Sequence, residues 1–223
     1  MSEENKLFDL KVLEVKNTLP EIQLPRPVDP RLPTVPGLQL FIARCRSGKS
    51  NMLQNFLWSS QYWGGENNIF DVIYYISPTC RMDKSTQILF REDVQDKVIV
   101  FEDTSQGAVD AFIQNILDYQ ESFPVNDPKN PRPLVCIVLD DISGVLKRSG
   151  ATTHLCSRYR HYNINLIISN QTLRDLPTVC RSMADAVFLA KTTSIMERQK
   201  VMEEYGDIYQ NKLLPAWDNA TVE

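Results

Sequence analysis

The chain has 223 residues, 43% of them hydrophobic, which is enough for one α/β domain with a buried core and leaves no separate second domain expected. Its formal net charge of −4 excludes a generally basic surface that coats nucleic acid non-specifically, so any contact with DNA must be local. No apolar run approaches the roughly 20 residues that span a bilayer, and the acidic start MSEENKLFDL has no signal core, so the sequence predicts a soluble, intracellular chain without a membrane-spanning segment.

Residues 1–36 are punctuated by Pro20, Pro25, Pro27, Pro30, Pro33 and Pro36, which disfavour a continuous helix or central strand and predict an extended N-terminal arm. A single domain over 37–206 follows, and 207–223 reads as a polar tail with Trp217. Leu38 to Ile42 reads as a buried strand. Directly after it, Met52, Leu53, Phe56 and Leu57 recur on one face of a helix that runs to Trp58. Between them lies Ala43-Arg44-Cys45-Arg46-Ser47-Gly48-Lys49-Ser50-Asn51, a phosphate-binding loop. Gly48 lets the backbone approach a polyphosphate, Lys49 reaches its terminal phosphates, and the Ser50 hydroxyl can ligate Mg²⁺. The helix that starts there adds its N-terminal N–H groups and the positive end of its dipole. Ala43 stands where the usual pattern has glycine, a departure of one methyl group.

Gln61 to Asn68 is a turn-rich link. Phe70 to Ser77 predicts a second strand, Pro78 to Arg91 a polar connection with a short helix, and Lys97 to Phe101 a third strand. Ala108 to Tyr119 has the apolar spacing of an amphipathic helix, ended by the proline-rich loop 124–133. In Leu134 to Asp141, six apolar residues precede two carboxylates, as in a central parallel strand that delivers acid to a site at its end. Asp140 fits the acid that holds the Mg²⁺ shell, and Asp141 the residue that polarises an attacking water. Ile142 to His161 carries Lys147, Arg148, Arg158 and Arg160 and no acid, with a helix expected from Thr152 to Tyr162. Charge alone equally fits a solvated face. Ile164 to Ser169 is a further apolar strand, ending in Asn170-Gln171. An amide at the tip of a strand beside the P-loop strand can bond the γ-phosphate or the lytic water, although a plain turn has the same composition. Leu173 to Ala184 reads as a short helical passage broken by Pro177, Ala186 to Ala190 as a strand, and Ser194 to Tyr205 as a charged helix. The five scattered cysteines, without a Cys-x-x-Cys pair, predict reduced thiols and no zinc.

Strands alternating with helices predict an α/β fold, a doubly wound, mainly parallel sheet. Two strands between the P-loop and the acid strand suggest an ASCE, RecA-like P-loop NTPase, with the acid strand expected beside the P-loop strand.

With the P-loop, LVCIVLDD and RYRHYNINLIISNQ in view, the chain resembles the FtsK–HerA superfamily, and within it the poxvirus-type genome packaging ATPases of large DNA viruses and virophages. The resemblance covers roughly Leu38 to Ala190, and rests most on Arg160-His161-Tyr162-Asn163-Ile164 running into an apolar strand that ends at Gln171. It implies a homo-oligomeric ring that hydrolyses ATP with Mg²⁺ to drive double-stranded DNA into a preformed capsid. The expected partners are DNA and a capsid vertex or portal component, in the host cytoplasm or virus factory or on the virion. It further implies Gln171 as sensor amide and an arginine from Arg158, Arg160 or Arg181 reaching a neighbour's γ-phosphate. The acid-free stretch Ile142 to Ser157 is then the candidate DNA-facing loop. A P-loop nucleotide kinase, a non-hydrolysing structural protein of the same fold, and another FtsK–HerA translocase are the rival expectations. The kinase is disfavoured because the chain lacks an arginine-rich lid.

Overall fold

The computed structural model describes residues 24–220, apart from 106, 125–126, 128, 143, 147–149 and 207–211. Lys147 and Arg148 of the basic stretch, and the arm before residue 24, lie outside the described residues.

Six strands form one parallel sheet: β1 (Leu38–Ile42), β2 (Val72–Ile76), β3 (Val98–Phe101), β4 (Val135–Asp140), β5 (Ile164–Asn170) and β6 (Ala186–Leu189), in the order β3-β2-β4-β5-β1-β6. The helices are α1 (Lys49–Trp58), α2 (Glu92–Gln95), α3 (Ala108–Glu121), α4 (Ala151–Arg158), α5 (Thr178–Ser182), α6 (Ile195–Tyr205) and α7 (Leu213–Ala220), with 3₁₀ turns at Lys84–Phe90 and Tyr159–Tyr162. Parallel strands are covered on both faces, and the period of two divides their side chains between two cores. Phe41, Ile73, Tyr75, Cys136, Val138 and Ile167 face α1 and the residues of 84–95. Leu40, Ile42, Val135, Ile137, Leu139, Leu166 and Ile168 face α3, α4 and the C-terminal helices. The same alternation carries Asp140 onto the α1 face, two positions beyond Val138.

The sequence reading put the acid strand beside the P-loop strand, and the structure corrects this. β5 lies between them, pairing Leu38 with Leu166 on one side and Asp140 with Ser169 on the other. Two buried amides join β1 to β5. Gln39 Nε2 donates to Asn165 Oδ1 and Asn165 Nδ2 donates to Gln39 Oε1, each at 3.0 Å, while Asn165 Oδ1 also accepts the Gly37 N–H at 3.0 Å. Both side chains are fully buried. A buried amide left without partners is costly, so these two hold β1 against β5 in this register.

Residues 24–36 dock on their own domain. Leu24, Val28, Leu32 and Val35 pack on the core beneath α1, and Arg26 donates to the carbonyls of Asn67 and Gly64 at 3.2 and 2.9 Å and to that of Tyr62. Near the other terminus, α7 buries Trp217, whose indole N–H donates to Ala190 O at 3.1 Å. Among the described residues, no helix is long and apolar enough to cross a membrane.

Candidate active site

The carboxyl ends of β1, β4 and β5 converge at one rim of the sheet, and the loops leaving them carry the polar residues singled out above. After Ile42 the chain makes one more sheet bond, Ala43 N–H to Asn170 O at 3.1 Å, and then leaves the sheet. Ala43 is buried and is not among the residues with positive φ, so the missing first glycine costs the backbone nothing. The left-handed positions are Arg46 (φ 63°) and Gly48 (φ 84°), and a Cβ on Gly48 would meet nothing within 4 Å. Steric room is therefore not why glycine sits there; its backbone angle is. Arg44, Cys45, Arg46, Ser47 and Gly48 are exposed, and Ser47 folds its N–H and its hydroxyl back onto Arg44 O at 3.3 and 2.6 Å. Gly48 O receives the first helical bond, from Met52 N–H, and Asn51 lies exposed in the first turn of α1. No side chain caps the start of α1, and no acidic side chain occupies its first turn. Its first N–H groups are thus left for an anion.

Lys49 points into this space. Its Nζ stands 3.9 Å from Asp140 Oδ1 and 3.8 Å from Asp141 Oδ1, with 9% of its side chain exposed. Asp140 is buried; Oδ2 accepts the Tyr75 hydroxyl at 2.6 Å, whereas Oδ1 has no hydrogen-bond partner. Ser169, its register partner on β5, also has a buried hydroxyl without a partner. Burial, and then the charge of Asp140, push the Tyr75 hydroxyl well above its ordinary pKa of 10.0, so it remains a donor. Asp141 takes φ 56° and receives Gln171 Nε2 on Oδ1 at 3.0 Å, while its own N–H donates to Ser169 O.

Sequence reasoning missed Asp83, which lies in the connection after β2. Burial works to raise its carboxyl. Hydrogen bonds from the Ser85 backbone and side chain, one from Ser50, and the charge of Lys49 outweigh this and bring it below its ordinary 3.8. Nothing in a polar loop of this composition marks an aspartate as belonging to the site. Tyr75 and Ser169 were equally hidden, since both read as ordinary strand residues.

The donor set fits Mg²⁺. An ionisable oxygen left unpartnered in a buried position, Asp140 Oδ1, is where a hard cation finds a ligand, and Ser50 supplies a hydroxyl. Among the described residues, no three His, Cys, Asp or Glu side chains gather to hold a metal. A cation here would therefore take most of its shell from water and phosphate, as Mg²⁺ does in nucleotide sites.

The three arginines lie apart from this rim. Arg160 pairs with Asp185 at 2.5 Å, and Asp185 in turn accepts the Leu38 N–H at 2.8 Å and the Tyr159 hydroxyl. That cluster marks the amino end of β1, roughly 15 Å from its carboxyl end at 3.3 Å per residue. Arg158, in the last turn of α4, is exposed near the same end. Arg181 is buried and pairs with Glu204 at 3.0 Å. In the expected DNA-facing stretch, Ile142 to Ser157, the residues from Ala151 onward belong to α4.

No family model matches the sequence, and no curated protein matches it. Solved structures do. The genome packaging NTPase B204 of Sulfolobus turreted icosahedral virus 2, in complex with ATPγS, superposes with a TM-score of 0.53 at 16% identity over 75% of this chain and 81% of that one. B204 described as the DNA-packaging ATPase of Sulfolobus turreted icosahedral virus gives 0.54 at 16% identity, covering 76% and 82%. The cytoplasmic domain of EssC gives 0.54 at 14% identity over 74% of this chain and 33% of its own length. At 14–16% identity, what these structures share with the chain is the fold. The six-stranded parallel sheet thus has a P-loop ATPase fold similar to that of B204 and EssC.

Proposed function

We propose that this chain hydrolyses ATP as an FtsK–HerA-type motor and uses the energy to move double-stranded DNA into a preformed capsid. The observation that supports this most is the gathering of Lys49, Asp140, Asp141 and Gln171 at one rim, with both carboxylates within 4 Å of the ammonium. The likeness to B204, a packaging NTPase solved with ATPγS, supports the choice of motor and nucleotide.

In this reading the loop from Ala43 to Asn51 and the start of α1 cradle the phosphates, and Lys49 turns from its two carboxylates to the terminal phosphates. Ser50 and Asp140 hold Mg²⁺, which when bound draws negative charge off the phosphates. Asp141 orients the attacking water and takes up its proton. Gln171, already bonded to Asp141, senses the loss of the γ-phosphate and passes it to the loops beyond β5. An arginine from a neighbouring subunit, Arg158 or Arg160, completes the site. Arg181 is set aside because its guanidinium is buried against Glu204 of its own chain. The assembly is then a homo-oligomeric ring at a capsid vertex or portal, in the host cytoplasm or virus factory. The pairing of Asp141 with Gln171 favours attack by water over phosphoryl transfer to a small acceptor, which disfavours a kinase.

Hydrolysis by the purified protein with and without linear double-stranded DNA, beside a Lys49→Ala control, is the test. Turnover that rises with DNA and is lost in the control is expected. Turnover that needs a small acceptor would make the chain a kinase. Turnover indifferent to DNA would leave an ATPase acting on another cargo.

A further inference from the structure

Behind Asp140 runs a buried line of hydrogen bonds that the roles above do not use. Trp58, in the last turn of α1, donates its indole N–H to Gln54 Oε1 at 2.8 Å. Gln54 Nε2 donates to the Tyr75 hydroxyl oxygen at 3.3 Å, and Tyr75 donates to Asp140 Oδ2 at 2.6 Å. Gln54, Tyr75 and Asp140 are all buried, Tyr75 completely.

Donor chemistry fixes the direction of every link. An indole nitrogen can only donate, so the oxygen of the Gln54 amide must face Trp58 and its NH₂ group must face Tyr75. The hydroxyl of Tyr75 then accepts from Gln54 and has its single hydrogen left for Asp140. Asp140 Oδ2 is thereby occupied, and Oδ1 is the oxygen left bare toward Lys49 and the phosphate loop.

We propose that Gln54 and Tyr75 are positioning residues for the metal-binding carboxylate: they lock Asp140 in one rotamer with Oδ1 presented to the divalent cation. They also tie that carboxylate to α1, the helix whose first turn carries Lys49 and Ser50. The phosphate loop and the acid strand, which share no sheet bonds, are thus registered through side chains on the α1 face. The inference rests on the nucleotide-binding reading above and deepens it. Removing a group that orients a metal ligand from behind typically weakens metal binding 10- to 100-fold.

The test measures Mn²⁺ as the spectroscopic probe, by electron paramagnetic resonance titration in the presence of ATPγS, for wild type, Tyr75→Phe, Gln54→Leu and Trp58→Phe. ATPγS binding in EDTA and thermal melting are recorded for each. The expected result is a loss of Mn²⁺ affinity of about tenfold or more in Tyr75→Phe, with smaller losses of the same sign in Gln54→Leu and then Trp58→Phe. Metal-free nucleotide binding should change less than twofold. A purely structural role would lower melting temperatures and leave the Mn²⁺ affinity of the folded protein alone. Wild-type Mn²⁺ affinity in folded Tyr75→Phe overturns the proposal; if that variant does not fold, the same result in Trp58→Phe and Gln54→Leu together does so. Wild type that binds no Mn²⁺ with nucleotide overturns both this inference and the reading beneath it. Wild type that binds both, loses Mn²⁺ as expected in the variants, yet never turns over ATP, supports the inference and removes hydrolysis alone.

Discussion

Asp141 occupies the left-handed region at φ 56°, which Asp and Asn adopt more readily than most other side chains. That backbone angle turns its carboxylate away from the line of β4 and toward Gln171. Asp141→Asn preserves the angle and the acceptor for Gln171 but removes the charge that would take a proton. The expected outcome is unchanged melting and nucleotide binding, with single-turnover hydrolysis slowed on the order of 100-fold or more. Asp141→Glu restores the charge on a side chain poorly suited to positive φ, and should cost about 1 kcal/mol of stability in denaturant titration. Near-normal hydrolysis in the asparagine variant would remove Asp141 from the chemistry. Its charge in the sequence suggested a role; its strained backbone, which restricts what else could stand there, was not visible in the letters.

Among the elements, α4 depends on a neighbour for its beginning. Its own N-terminal residue, Gly150, offers no side-chain cap. Instead Asp110, in the first turn of α3, accepts both the Thr152 N–H at 3.1 Å and the Thr152 hydroxyl at 3.0 Å on one oxygen. A Cβ on Gly150 would fall 2.4 Å from the other oxygen of Asp110 and push that carboxylate off its bonds to Thr152. Asp110→Ala should lower stability by about 1 kcal/mol in urea unfolding, as loss of a helix cap does. An unchanged midpoint would mean that packing alone holds α4. Such links between elements are the part of the fold the sequence conceals. β1, β4 and β5 were legible because strands buried on both faces read as unbroken apolar runs, and their predicted spans differ from the observed ones by a residue or so. α7 was not, because its short apolar run holds Pro215 and sits among polar residues, yet Leu213, Leu214 and Trp217 pack on the core and Asp218 pairs with Arg198 at 2.7 Å. Strand order was misread for a similar reason. Gln39 and Asn165 look like polar interruptions in apolar runs, yet their mutual bonds join β1 to β5.

For the molecule as a whole, the rim that carries Lys49, Asp140 and Asp141 and the end that carries Arg158 and Arg160 face opposite ways along the sheet. In a ring built head to tail, one end of each subunit can meet the other end of the next. Arg158 is the better probe, since Arg160 also helps fasten the sheet through Asp185. Arg158→Ala and Lys49→Ala proteins should each be inactive, and mixing them should restore part of the ATPase activity. Restoration would arise at sites where an intact P-loop meets an intact arginine from its neighbour. A mixture as inactive as its components would exclude Arg158 from that role.

The place of β1 in the sheet also governs when the protein can come together. β1 is the first of the described strands to be made, yet both of its sheet neighbours, β5 and β6, come late; Gly37 and Asn165, which bond at its base, are 128 positions apart. Closing a loop of that length costs chain entropy before any contact repays it, and non-local pairing of this kind slows folding. During synthesis, β2, β3 and β4 can pair with one another while β1 still waits for partners. The phosphate loop is therefore among the last parts to take shape, and a chain released before β5 would carry the complete P-loop sequence without the strand that gives it form.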